Sequence, residues 1–333
     1  MAQKSDRKRA GVERDTASMT WRHILFGGGV FDTSGVHPNK KGWDIFELGQ
    51  KSFWAVPSAI PWDEPVREDP KYAEAIAAML GFLCPGEKAA VTGASYLSNL
   101  VKSEEAKFYF CEQALEEAKH YDALRRLIPK ITGRPLDAPN SWVRLLYSFG
   151  VVDKNDPAFM MGSINIIGEH LANQIFHKIN HRAVDPNVKK IIALIGKDES
   201  RHIGAGQRFF PEVYDDFKKH RHQIFAKNLA TTIVLAIASY ELVNQMTLLE
   251  IDLAVVMDAM YRHYEDVTGS LPPFPEQSLR DALMKLVKNA TPRTIHAIAA
   301  MTNDDGKVEM GRLVAACEAA MKSPRALREL LAA

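Results

Sequence analysis

Several features that would narrow the function at once are scarce or missing in this sequence. Its three cysteines in 333 residues, Cys84, Cys111 and Cys317, are scattered and form no Cys-x-x-Cys. This argues against a disulfide framework or a thiolate zinc site and leaves reduced thiols as the expectation. An excess of one charge is also missing: 42 Lys and Arg stand against 41 Asp and Glu, a net charge of +1. Such a balance gives no general attraction to nucleic acid or to an anionic membrane. No apolar run reads as a bilayer span. The most apolar stretch, residues 230–260, carries Glu241, Asn244, Gln245, Glu250, Asp252 and Asp258, so it reads as buried core or as the interface helix of an expected homodimer. There is no convincing strand and no glycine-rich dinucleotide fingerprint. Basic residues gather between Lys4 and Arg14 without an adjoining apolar segment. Residues 1–20 are therefore expected to be a disordered basic tail and not a signal peptide, with a cytoplasmic location as the default.

The chain does have ample apolar content, 46%, and helical periodicity from about Lys71 onward, which predicts an all-α fold. Residues 21–70, rich in Gly, Pro, Trp and Phe, are expected to wrap irregularly on the bundle, with a short helix near Trp43 to Lys51. The bundle spans 71–267, 268–275 is a linker, and 276–333 form a small helical appendage. Within the bundle, Cys84-Pro85-Gly86 should kink the first helix just before Glu87. Ser103 should cap a second helix ending near Pro129, and Asp156-Pro157 and Pro186 should open the next two.

Two of these helices carry the same spacing, Glu117-x-x-His120 and Glu199-x-x-His202. Positions i and i+3 share a helix face, so each pair aims a carboxylate and an imidazole at one point. Composition alone supplies about 0.7 such matches by chance, so the upstream partners carry the weight. Glu87 stands 30 residues before Glu117, and Glu169 stands 30 before Glu199. That interval is about a helix, a turn and half the next helix, which sets each upstream glutamate beside its pair in an antiparallel hairpin. The predicted ligand set is Glu87, Glu117, His120, Glu169, Glu199 and His202, that of a carboxylate-bridged dinuclear site in a ferritin-like helical bundle. Four carboxylates balance two divalent cations, and oxidation of the pair can be neutralised by bridges derived from dioxygen or water. Oxygen and imidazole donors without thiolate favour iron or manganese over zinc. Glu116 and Asp198 precede the ligand glutamates and are placed to accept from ligand imidazoles, with Lys119 and Arg201 as their cationic partners. His170, His177, His181, His220 and His222 are expected to stand apart from the site.

These segments resemble the ferritin-like di-iron carboxylate superfamily. Gly86-Glu87-Lys88-Ala89-Ala90-Val91-Thr92-Gly93 is similar to a segment of bacterial multicomponent monooxygenase hydroxylases in which the glutamate binds iron. Glu116-Glu117-Ala118-Lys119-His120 resembles ribonucleotide reductase R2-like ligand-binding oxidases, and Asp198-Glu199-Ser200-Arg201-His202 resembles both groups and acyl carrier protein desaturases. Trp43-Asp44-Ile45-Phe46-Glu47 followed by Phe53-Trp54 resembles the amino-terminal segment of R2 proteins. That likeness implies an electron-transfer chain of Trp54, Asp198 and a ligand histidine. The resemblance covers residues 40–260 or so and implies two iron ions, with a mixed Mn/Fe pair as an alternative, and O2 as co-substrate. It further implies a small apolar or amphipathic substrate that is hydroxylated, desaturated or oxidised at nitrogen. An external donor, ferredoxin or flavin reductase, would supply the electrons.

Departures from these patterns bear on the reading. Leu124 stands where radical-bearing R2 proteins have tyrosine, and Ile164 where the ligand-binding oxidases have a cross-linking tyrosine. Ile195 stands where aminobenzoate-type N-oxygenases have a seventh ligand. Asn173 replaces the threonine of the monooxygenases, keeping a polar group at that turn. Gln113, Asn165 and Asn173 are expected to be the polar groups of the substrate cavity, with Val91, Phe110 and Leu124 as apolar walls. Two rivals remain at this point: a non-catalytic iron storage or detoxification protein, and an R2-type radical subunit.

Overall fold

A computed structural model of the chain describes residues 40–139, 143, 144, 146, 147, 156–240 and 242–268. The basic tail, the first part of the wrap, residues 269–275 of the linker and the carboxy-terminal appendage lie outside the described residues. Among those described there is no strand and most are helical, so the chain is all-α.

The wrap contributes α1, Lys40–Ser52, and the single turn α2, Val56–Ala59. Helix α1 lies along α4 (Glu104–Thr132): the Gly49 backbone approaches the Glu112 carboxylate so closely that a Cβ there would sit 2.6 Å from it, and Gln50 donates to Glu112 at 2.5 Å. Trp43 and Phe46 meet the Phe108 ring edge-on or tilted. This contact ties down the segment that leads to Trp54.

Helix α3, Pro70–Leu100, starts on Asp69, whose side chain accepts from the Lys71 amide at 2.9 Å. It runs through Pro85, the position of the expected kink, as one helix; packing along α4 holds it together across the missing donor. By length and composition α3 alone among the described helices would suffice to cross a membrane. Its apolar face is however spent on α4 and on the core, with Ile76, Leu80, Leu83 and Leu97 buried. Ser103 caps α4 as expected, accepting from the Ala106 amide at 3.3 Å, a contribution of about 1 kcal/mol. That helix runs past Pro129 to Thr132 and stops at Gly133, whose φ of 69° is the left-handed cap geometry glycine adopts without strain. Gly133, and not Pro129, is therefore the stop signal.

After the described fragment at 143–147 the chain resumes with α5, Pro157–Met161, capped by Asp156. It passes without a break into a π-helical segment, Gly162–Gly168, and then α6, Glu169–Arg182. The π segment was not anticipated. Asp185 caps α7, Pro186–Phe209, through the Asn187 and Val188 amides. A 3-10 turn at Phe210–Val213 leads into α8, Tyr214–Tyr240. The apolar run from residue 230 is not one helix. It divides among the end of α8, α9 (Val243–Leu248) and α10 (Leu253–Thr268), with Glu250 at φ 56° between the last two and Asp252 accepting from the Ala254 and Val255 amides.

The extensive packing is within two hairpins, α3 with α4 and α6 with α7; α4 also meets α7, and α3 meets α6. Both connections are three residues long, 101–103 and 183–185, which makes the partners antiparallel. The two hairpins thus enclose a common core, and the predicted ligand residues project into it.

Candidate metal centre

Glu87 comes from the middle of α3, Glu117 and His120 from α4, Glu169 from the first residue of α6, and Glu199 and His202 from α7. All six residues are 5% exposed or less, so none is an ordinary solvated helix-surface group. They form two overlapping groups able to hold a metal ion. One is Glu87, Glu117, His120 and Glu199; the other is Glu117, Glu169, Glu199 and His202, with the donor atoms of each group within 4.8 Å of one another. His120 Nδ1 lies 3.3 Å from Glu87 Oε2, 3.6 Å from Glu117 Oε2 and 3.1 Å from Glu199 Oε1. His202 Nδ1 lies 3.1 Å from Glu117 Oε1, 3.1 Å from Glu199 Oε2 and 3.7 Å from Glu169 Oε1. Glu117 and Glu199 therefore each turn one oxygen toward either histidine, whereas Glu87 and Glu169 belong to one group each.

Around this cage runs a ring of four charged side chains, connected crosswise. His120 of the first pair places Nε2 3.2 Å from Asp198 Oδ2, on the opposite hairpin, and His202 places Nε2 3.0 Å from Glu116 Oε2. Because an ionised carboxylate can only accept, each Nε2 carries a proton, which leaves Nδ1, facing the cage, as the atom a metal would take. Arg201 donates to Asp198 Oδ1 at 2.7 Å and also to Glu116 Oε1. Lys119 spans the same two carboxylates, 3.4 Å from Asp198 and 3.8 Å from Glu116. Two cations match two anions, so this ring leaves the charge of the cage uncompensated. Trp54 completes it: its indole N–H donates to Asp198 Oδ2 at 2.8 Å, and its ring stacks on His120 at 6.2 Å with a 14° interplanar angle.

The electrostatics of the cage fit a cation. Burial, and then the charge of Glu199, push the Glu87 carboxyl well above its usual range. Burial, followed by Glu117 and Glu199, does the same to Glu169. Burial disfavours charged His120 and His202, yet the surrounding carboxylates, Glu199 first for His120 and Glu117 first for His202, raise both well above the usual imidazole value. Burial also opposes ionisation of Glu117, but His202 and His120 more than offset it and hold its carboxyl low. The cage alone thus neutralises itself with protons, on its histidines and on the two unshared glutamates. Glu117 Oε2, Glu199 Oε1 and His120 Nδ1 are buried without a hydrogen-bond partner. All three converge on the first group, where a cation would satisfy them together.

Gln113 and Asn165, expected to line the cavity, instead brace the cage. Gln113 donates to Glu117 Oε1 and Glu169 Oε1, both at 3.0 Å, and accepts from Asn165 at 2.7 Å. Asn165 sits in the π segment and also donates to the His202 carbonyl at 3.3 Å. Asn173 is placed elsewhere: half-buried, it donates to Ser200 across the α6–α7 contact and is not among the cavity-lining residues. A cavity of about 110 Å³ adjoins the cage on the side of Glu87 and Glu169, the only two of the six candidate ligands that line it. Its apolar wall comes from α3, the π segment and α8, including Leu83, Ile164, Ile167 and Leu235, with Tyr147. The walls expected at Phe110 and Leu124 are fully buried core residues on the α4 side, and Val91 does not reach the cavity. His170 stands outside the cage as expected, stacked on His263 at 5.2 Å.

No protein-family model matches the chain, and no curated protein sequence matches it. What the geometry establishes is a helical protein with a buried Glu/His cluster that could hold metal, compatible with a ferritin-like fold.

Proposed function

We propose that the two hairpins form a ferritin-like bundle whose cage binds two iron ions, and that the protein is an O2-dependent di-iron oxidase or oxygenase acting on a small apolar or amphipathic molecule. The observation that carries this reading is the position of Glu117 and Glu199, each with one oxygen toward either histidine. Carboxylates so placed can bridge two cations, and four glutamates within a charge-neutral ring match two divalent ions. A bound iron pair would supply two-electron activation of dioxygen, chemistry that no side chain here provides.

The chain's own residues supply the rest. Glu87, Glu117 and His120 would hold one ion and Glu169, Glu199 and His202 the other, with Glu117 and Glu199 within reach of both. Asp198 and Glu116 fix the imidazole orientations, and Arg201 and Lys119 pair with those carboxylates. Gln113 orients Glu117 against Glu169. The apolar cavity excludes water and holds the substrate against the Glu87 and Glu169 side of the cage. Its volume approaches the roughly 150 Å³ of an apolar cavity known to take benzene. Trp54, Asp198 and His120 form a hydrogen-bonded line from the wrap to the cage, a route for electrons from a separate ferredoxin or flavin reductase.

Two irons per chain, with O2 consumption that requires reductant, is the expected result of anaerobic reconstitution. A load of many irons per chain would replace this reading with iron storage. The Trp54–Asp198–His120 line also favours an R2-type radical subunit as a second reading; a persistent organic radical in the paramagnetic resonance spectrum after oxygen exposure would select it. Leu124, fully buried at the position where such a radical would reside on tyrosine, speaks against that outcome.

A further inference from the structure

Lys119 makes a contact that bracing Asp198 and Glu116 does not require. Its ammonium lies over two aromatic faces, 4.9 Å from the Trp54 ring centroid and 4.5 Å from that of Phe53. The lysine side chain is only 7% exposed and Trp54 8%, whereas Phe53 is 50% exposed and forms the outer cover. The cation is therefore held, largely out of water, on the face of the one indole hydrogen-bonded to Asp198. Asp198 at its N–H edge and Glu116 behind it are each paired with both Arg201 and Lys119, and His120 stacks on the same ring, so Lys119 is the cation of this group whose replacement leaves the cage ligands in place.

We propose that Lys119 sets how readily Trp54 gives up an electron, the fixed ammonium over the indole face disfavouring the radical cation. A cation is attracted to the negative face of a neutral indole and repelled once that ring is oxidised. A unit charge about 5 Å away, acting through an effective dielectric of about 20, shifts such an equilibrium by roughly two orders of magnitude. Lys119 is thus a tuning residue acting through Trp54. By making Trp54 harder to oxidise, it would keep oxidising equivalents generated in the cage available for longer to a substrate. That last consequence rests on the iron reading; the effect of Lys119 on Trp54 does not.

The two are separated by working with metal-free protein. Illumination of a ruthenium(II) polypyridyl complex with persulfate, which accepts the electron, generates ruthenium(III), and each ruthenium(III) removes one electron from an indole. Two such steps, with addition of one water and release of two protons, leave hydroxytryptophan, which is counted by peptide mass spectrometry. The readout is oxidation at Trp54 relative to Trp62 of the same chain. Lys119→Met, which keeps the length and cover but not the charge, should raise this ratio about tenfold, taking rates to follow part of the equilibrium shift. Lys119→Arg, which restores a cation, should stay within about twofold of the wild type. Should Lys119→Met fail to fold by circular dichroism, Lys119→Gln takes its place under the same criteria. A ratio unchanged on loss of the charge, or one that rises as far with arginine as without the charge, overturns the proposal. Failure of the iron reading would appear instead as absent metal in the reconstituted wild type and would leave this ratio unaffected.

Discussion

Removing metal should make the protein's stability depend on pH in the opposite sense to that of the loaded form. His120 and His202 are fully buried and bind their protons well above the ordinary imidazole value of 6.5. Such a group stabilises the fold fully below the unfolded value, and its contribution is lost as pH rises toward the folded value. Glu87 and Glu169 are also raised, so their contribution likewise shrinks above about 4.5. Glu117 and Glu199 are lowered; theirs is present above about 4.5 and fails only in acid. Between pH 6 and 8 the raised groups therefore govern, and metal-free protein should weaken as pH climbs. Each proton kept by the folded chain and shed by the unfolded one costs about 1.4 kcal/mol per pH unit. For each such proton that is about 2 °C in Tm per pH unit for a chain of this size, lost over the interval between the unfolded and the folded value.

A metal pair displaces those protons, so its binding strengthens as pH rises. Thermal melts of chelator-treated protein and of the same sample reloaded with Mn2+, which is stable in air, should show a gap that widens from pH 6 to pH 8. A gap that is constant or narrows would refute the assignment of protons to the cage.

Shared and unshared ligands should separate in metal content. Glu117→Ala, which removes a ligand common to both groups, is expected to abolish binding of both ions, whereas Glu87→Ala and His202→Ala, each confined to one group, should lose the pair but leave about one ion per chain; retention of two ions by Glu117→Ala or His202→Ala would show the ligand assignment to be wrong. Arg201→Met strands the Glu116 and Asp198 carboxylates and should cost about 3–5 kcal/mol in urea unfolding at pH 7; a loss below about 1 kcal/mol would mean that Lys119 alone suffices. Gly206→Ala would place a Cβ 2.8 Å from that of Asn165 and 3.3 Å from the Asn165 carbonyl. Since backbone must yield there, the cost should be about 1–3 kcal/mol, with His202 displaced through its carbonyl contact to Asn165; an unchanged melting temperature would show that the π segment yields freely.

The parts of this molecule legible in its sequence are those fixed by local rules. The caps at Ser103 and Asp156, the openings at Pro157 and Pro186, and the i,i+3 ligand pairs all act within one or two helical turns. Pro129 misled because a proline's cost of about 3 kcal/mol is absorbed when a long helix is packed along its length. The π segment carries no local signal beyond the glycines at its ends, and its widened turn directs Asn165 at Gln113 instead of into the cavity. The cavity walls were missed for a related reason: which face of α3 and α8 meets open space is decided by packing between elements distant in the chain.

The crosswise ring is the feature that sequence spacing reached only halfway. Glu116 and Asp198 were recognisable as supports, but not which histidine each would serve. The geometry gives Asp198 to His120 and Glu116 to His202, so each hairpin supports the imidazole of the other. The cage follows the same rule: each metal-binding group takes three ligands from one hairpin and one from its opposite, Glu199 for the first and Glu117 for the second. Neither hairpin contains a complete group, although each repeats the same 30-residue pattern. A cation at either position therefore ties α3–α4 to α6–α7. Its removal leaves four buried carboxylates divided between two bodies that repel unless protonated, so occupancy of the site and cohesion of the bundle are one equilibrium.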